Sequence, residues 1–250
     1  MRIRTITASD PREDTPIDKL VDFMNEYPNV EIAVQASPSK IAPGTARRVW
    51  FDTLMHAVRN NPRKLNLALH VNMAYCDQMC RGTIPADLFT WFLARREDYS
   101  PVITRWQINF SGSKTEFLDY PAMTRMFAMH PEREFIMQDN SSTTSGTHLA
   151  RLRACMLTPS YSVLYDQSSG NGILAQQWAR PHTDVRTGYS GGLKPENVAA
   201  QLDKIAAVVR DDTIWIDAEG GLKTPGTKTF DLSRARAYID ATNAWCQKNR

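Results

Sequence analysis

The residues best suited to chemistry gather in the last third of this 250-residue chain. Three glycine-bearing segments each follow a short run of strand-forming residues: Asp166 to Gly172, Tyr189 to Pro195, and Asp217 to Leu222. Glycine lets the main chain approach a bound group closely. Exposed N–H groups gathered in a loop or at a helix start hold phosphate oxygens without needing a lysine. One such loop by itself is an ordinary turn. Three at the ends of consecutive strands point to a phosphate cup built from Gly170, Asn171, Gly172, Gly191, Gly192, Gly220 and Gly221. Asp166 and Asp217 head two of these loops. The Asp166 carboxyl, in a partly desolvated mouth, can be tuned to work as acid or base, or else caps its loop; Asp217 is placed either to bind a sugar hydroxyl or, with Glu219 nearby, to cap a turn.

Further polar residues lie at the ends of earlier strand-like runs. His70, in Leu69-His70-Val71-Asn72, titrates near neutrality when unperturbed, and Asp139 is a second candidate proton carrier. A histidine in an apolar strand is also a common hydrogen-bonded core residue. Gln107, Asn109 and Gln138 are placed either to hydrogen-bond a substrate or to satisfy one another inside the fold. The run Ser141 to Gly146 reads as a lid or a plain connection.

The elements that must position these groups alternate in type. Short β-rich runs at Arg2–Thr7, Val30–Gln35, Leu65–Val71, Arg105–Phe110, Glu134–Gln138, Ser162–Tyr165, Asp184–Thr187 and Thr213–Ile216 are separated by segments of helical period. The helical segments are Pro16–Glu26, Thr45–Asn60, Pro85–Arg96, Glu116–His130, Thr147–Met156, Ile173–Ala179, Pro195–Arg210 and Leu232–Gln247. Val198, Leu202, Ile205 and Val209 form one apolar stripe, with Pro195 suited to a first helical turn. Several of the β-rich runs are continuously apolar, as strands buried on both faces are. Eight such units in this length define a single α/β domain, a (βα)8 barrel over residues 1–250, in preference to an open doubly wound sheet.

Several runs resemble a known family, the phosphoribosylanthranilate isomerases of tryptophan biosynthesis, which are (βα)8 barrels. Leu164-Tyr165-Asp166 with Gly170-Asn171-Gly172 and Trp178 is similar to that family's sixth strand, phosphate loop and following tryptophan. Ser190-Gly191-Gly192-Leu193-Lys194-Pro195-Glu196-Asn197-Val198 resembles its Ala-Gly-Gly-Leu-x-Pro-x-Asn-Val run. Ile216 to Gly221, continuing to Gly226 and Lys228, resembles its eighth strand and the stretch after it. Weaker likenesses cover Ile3 to Thr7 with Arg12-Glu13-Asp14, Ser37 to Pro43, and Trp106-Gln107-Ile108. The resemblance implies a phosphate end like the family's and an altered reacting end. Asp166 matches the general acid of an Amadori rearrangement. The position of the general base, a cysteine in the family, is Arg4, which stays protonated and cannot take a proton. Arg4 then either clamps a substrate anion or pairs with a neighbouring acid. The family's carboxylate-binding arginine corresponds to Ser39, with Lys40 beside it.

The resemblance therefore implies an isomerase-type enzyme acting on a small phosphorylated sugar-like metabolite. It leaves open the tryptophan-pathway isomerase itself, with its base elsewhere, and a non-catalytic phospholigand-binding protein. Composition narrows the rest. A net charge of +3 with scattered basic residues gives no nucleic-acid stripe, and no apolar run suits a membrane span. The first residues carry no signal-like apolar stretch, so a cytoplasmic protein, monomer or homodimer, is expected. Cys76 and Cys80 are separated by three residues, unlike the two of a zinc knuckle, and with Cys155 and Cys246 are expected as reduced thiols with no metal. No Walker A loop or early dinucleotide fingerprint is present, so no cofactor is expected.

Overall fold

A computed structural model describes residues 1–109, 118–139, 151–155, 161–166, 168, 172–182, 184–210 and 212–249. Eight strands close on themselves in chain order: β1 (Arg2–Ser9), β2 (Val30–Ala36), β3 (Asn66–Val71), β4 (Ile103–Ile108), β5 (Glu134–Asp139), β6 (Tyr161–Asp166), β7 (Thr187–Ser190) and β8 (Thr213–Ala218). Every neighbouring pair is parallel, and β1 completes the ring against β8, with Thr7 beside Asp217 and Ala8 beside Ala218. The chain is a (βα)8 barrel.

Side chains alternate between the two faces of each strand, and the barrel uses the two faces differently. Ile6, Ile32, Leu67, Trp106, Phe135, Val163 and Ile216 are buried in the main apolar layer with the surrounding helices. Those helices include α1 (Ile17–Glu26), α2 (Pro38–Ile41), α3 (Ala46–Arg59), α4 (Ala74–Met79), α5 (Phe89–Leu93), α6 (Tyr120–Met129), α7 (Val198–Val209) and α8 (Leu232–Lys248). Ile136, Leu164 and Trp215 form a separate small cluster inside the barrel. A Cβ on Gly188 would lie 2.0 Å from the Trp215 ring, so glycine there makes room for the indole.

Below this plug the interior is charged. Arg105 pairs with Glu31 at 2.6 Å and stacks on Trp215 with its guanidinium carbon 4.4 Å from the ring centre. Glu31 also accepts from Thr7, and Glu134 from Ser162.

Several elements differ from their sequence expectation. The seventh strand is Thr187–Ser190 and not Asp184–Thr187. Its small inward residues leave no apolar run to mark it. Residues 173–179 are not helical. The Trp178 indole donates to Gln201 of α7, pinning this stretch as a loop, and Ile173 stays exposed. The segment from Pro85 divides into a short 3-10 turn, Ala86–Leu88, and α5. Pro195 lies before α7, whose cap is Asn197. Phe110, residues 141–146, and parts of the helices expected near 116–130 and 147–156 lie outside the described residues.

Candidate active site

The carboxyl ends of the strands surround a cavity of about 530 Å³. The Asp166 carboxylate of β6 accepts from Gln138 Nε2 on one oxygen at 2.8 Å, and from the backbone N–H and hydroxyl of Ser168 on the other at 3.1 and 2.6 Å. Asp217 of β8 lies two strands away. Its Oδ1 accepts from Ser9 Oγ at 2.5 Å, and its Oδ2 is 4.0 Å from His70 Nε2.

Burial decides the protonation of this second group. Removal from water pushes the Asp217 carboxyl up to about 8, with the charges of Glu219, Glu31 and Asp166 adding to the rise and the Ser9 hydrogen bond opposing it. Burial drives His70 down to about 3, helped by the positive charge of Arg105. At neutral pH the facing pair is therefore an uncharged imidazole and a largely protonated acid, and the 4.0 Å approach is not an ion pair.

A belt of amides lines the opposite side. Gln35 donates to Glu219 at 2.7 Å, Asn72 to Gln35 at 2.7 Å, Asn109 to Asn72 at 3.1 Å, and Gln107 to Asn109 at 2.9 Å. Glutamine and asparagine thus satisfy one another around the rim, as one of the two sequence readings has it.

Gly172, Gly191, Gly192, Gly220 and Gly221 all line this cavity, while Gly170 and Asn171 lie outside the described residues. Gly192 has a φ of +65°, and a Cβ there would sit 2.5 Å from the Leu174 nitrogen. A Cβ on Gly221 would meet the Leu193 carbonyl oxygen at 2.2 Å. These two glycines let the loops after β6, β7 and β8 pack backbone against backbone. Asn197 then fixes the β7 loop, accepting from the Lys194 N–H and donating to the Gly192 carbonyl.

Two sequence expectations are corrected by position. Arg4 sits at the amino-terminal end of β1, level with Ile214 and Trp215, and is 3.3 Å from Glu134. It pairs with an acid at the floor of the barrel and cannot reach the mouth. The residue of β1 at mouth height is Ser9, because the strand runs two residues beyond the expected Thr7. Asp139 does not line the cavity; its Oδ2 lies 3.4 Å from His182 Nε2.

His70, Gln107 and Lys40 do line the cavity. Lys40 is exposed at the cavity rim; partial desolvation of its ammonium lowers its pKa against the attraction of Asp10, and it makes no ion pair with the described residues. Sequence reasoning missed the cluster behind it. The Asp10 carboxylate takes Arg12 at 2.6 Å, Lys223 at 3.0 Å and Arg47 at 3.2 Å. Burial alone would raise the Asp10 pKa, but the hydrogen bonds and charges of Arg12 and Lys223 hold it below the ordinary range. Asp10 has a φ of +66°, a rare conformation for a residue with a side chain, fixed by these three cations. Reading β1 to its true end would have placed Asp10 at the mouth.

The architecture defines a (βα)8-barrel protein with a polar, titratable mouth. Among solved structures, the chain is similar to phospho-2-dehydro-3-deoxyheptonate aldolase from Thermotoga maritima, with a TM-score of 0.52 at 10% identity, covering 98% of this chain and 70% of that one. It is also similar to triosephosphate isomerase from Bartonella henselae, with a TM-score of 0.50 at 11% identity, covering 96% and 99%. These likenesses extend to the fold. The chain matches no protein-family model and no curated protein sequence. No helix among the described residues is long and apolar enough to cross a membrane.

Proposed function

We propose that this chain is an enzyme of the isomerase type, moving a proton on a small phosphorylated sugar-like substrate. The observation that carries this reading is the pairing, in one cavity, of three close-packed glycine loops with a carboxyl group whose pKa burial sets at about 8. Barrels commonly bind phosphate at the loops after their seventh and eighth strands, where a short extra helix begins; here Gly220–Leu222 is a 3-10 turn at that place.

The reading assigns each group a step. Main-chain N–H groups of the glycine loops hold the phosphate and fix the sugar-like chain across the mouth. Asp166, oriented by Gln138 and Ser168, takes a carbon-bound proton. Asp217, kept protonated, delivers a proton to the adjacent carbonyl oxygen, with uncharged His70 beside it. Asp166 then returns its proton to the former carbonyl carbon while Asp217 recovers a proton from the hydroxyl of the carbon first deprotonated, which completes the isomerisation. Asp217 rather than Asp166 is then the acid, reversing the role that the phosphoribosylanthranilate isomerase resemblance implies. That resemblance supports the phosphate end of the reading and stops short of naming the substrate.

The test is hydrogen exchange. A panel of aldose and ketose phosphates is incubated in D2O with the protein and followed by NMR. Incorporation of deuterium at one carbon beside the carbonyl, lost in Asp166→Asn, is expected. A panel in which no compound exchanges or stabilises the protein overturns the reading.

A further inference from the structure

We propose that the amino-terminal end of the barrel carries a second binding site, for a small organic monocarboxylate with a compact apolar body. This end of such barrels ordinarily serves stability. Here it opens into a separate cavity of about 250 Å³, across the barrel from the mouth. The inference is independent of the function proposed for the mouth.

The charges around this cavity do not balance. Arg4, Arg105 and Arg186 all converge on a single oxygen, Oε2 of Glu134, at 3.3, 3.4 and 3.4 Å. A carboxylate engaged by one well-placed guanidinium lies nearer 2.8 Å, so these are three loose contacts sharing one acceptor. The other Glu134 oxygen is taken by Ser162 at 2.6 Å. Behind the cavity Glu31 pairs with Arg105. Three guanidiniums against the two carboxylates Glu31 and Glu134 leave one net positive charge. Arg105 is also nine-tenths buried, and its Nε, the atom 3.4 Å from Glu134 Oε2, makes no hydrogen bond there or with any other of the described residues. Arg4 and Arg186 are exposed at the rim, 46% and 62%, where an incoming anion can meet them.

The remaining walls select the ligand's other half. Trp215, which is buried, Ile214 and the methyl-bearing Thr5 and Thr213 face the same space. One anionic group suits the charge, the forked geometry of Arg4 and Arg186 suits a carboxylate, and the indole and isoleucine walls suit an aromatic or branched aliphatic body.

Benzoate is the probe. Isothermal titration of the full chain with benzoate is expected to give saturable one-to-one binding. The double variant Arg4→Gln/Arg186→Gln, changed only at exposed groups, is expected to weaken it at least tenfold while keeping the wild-type melting temperature within a few degrees. Lys40→Gln, which removes a cation from the mouth, is expected to leave benzoate binding unchanged. Absence of saturable binding, equal affinity in the double variant, or loss in Lys40→Gln would each overturn the proposal, the last by placing benzoate in the mouth.

Discussion

Ser9 donates its hydroxyl hydrogen to Asp217 across the seam where the first strand meets the last, at 2.5 Å. The bond opposes the burial that raises the Asp217 pKa. Replacing Ser9 with alanine removes the donor while leaving the burial, so the acid should titrate above its present value of about 8. The alkaline limb of the pH–rate profile for any substrate found by exchange should move upward correspondingly. A limb that stays in place would remove Asp217 as the acid.

The same residue and His70 make opposed contributions to stability as pH changes. A carboxyl raised from the usual value near 4 to about 8 stabilises the fold at low pH and loses that contribution as pH rises through 8. An imidazole lowered from about 6.5 to about 3 stabilises above 6.5 and loses its contribution as pH falls towards 3. Between pH 4 and 6.5 the two slopes cancel, each being about 1.4 kcal/mol per unit. Between 6.5 and 8 only Asp217 acts. Asp217→Asn should therefore gain stability relative to the wild type progressively from pH 4 to 8, read as a widening difference in melting temperature. A constant difference across that range would contradict the raised pKa.

Gly192 and Gly220 line the same cavity but should respond unequally to alanine. At Gly192 the side chain would strike the Leu174 backbone and occupy a left-handed conformation, costing roughly 1–3 kcal/mol. At Gly220 nothing lies within 4 Å and φ is ordinary, so the change should fall within about 0.5 kcal/mol. Urea denaturation of the two variants decides the point.

Arg105→Ala should cost on the order of 3–5 kcal/mol, because it leaves Glu31 buried without its partner. Burial already pushes the Glu31 pKa up despite the Arg105 charge. Adding Glu31→Gln should return part of the loss, and a double variant no more stable than Arg105→Ala would show that the pair is not energetically coupled.

Thiol titration should distinguish the cysteines. Cys155 is exposed, whereas Cys76 and Cys80 are buried with their sulfurs 3.9 Å apart. A thiol reagent should modify Cys155 first, the half-buried Cys246 more slowly and the buried pair last, and Cys155→Ser should abolish the fastest phase.

The alternation of strand and helix was readable because buried parallel strands are apolar on the face that meets the helices, whatever lies inside. Val30–Ala36 and Asn66–Val71 announce themselves this way. Thr187–Ser190 does not, since Gly188 and Ser190 yield their inner face to Trp215 and the cavity. The glycine loops and both aspartates were legible from residue type and order. Arg4 was misplaced because motif likeness fixes a residue's number in the chain but not its height in the barrel. Only the register beside β8 separates Arg4 at the floor from Ser9 at the mouth. Likewise the Asp10 cluster joins residues 213 positions apart, a closure invisible in local sequence.

The apolar plug of Ile136, Leu164 and Trp215 acts as a dielectric septum between two ionic compartments. Protons need water or hydrogen-bonding side chains to pass. Electric fields need neither, and they carry further through material of low permittivity. Arg105 on the floor thus bears on His70 at the mouth, and Glu31 on Asp217. The lower compartment works as a fixed electrode: it biases the voltage at which the mouth titrates.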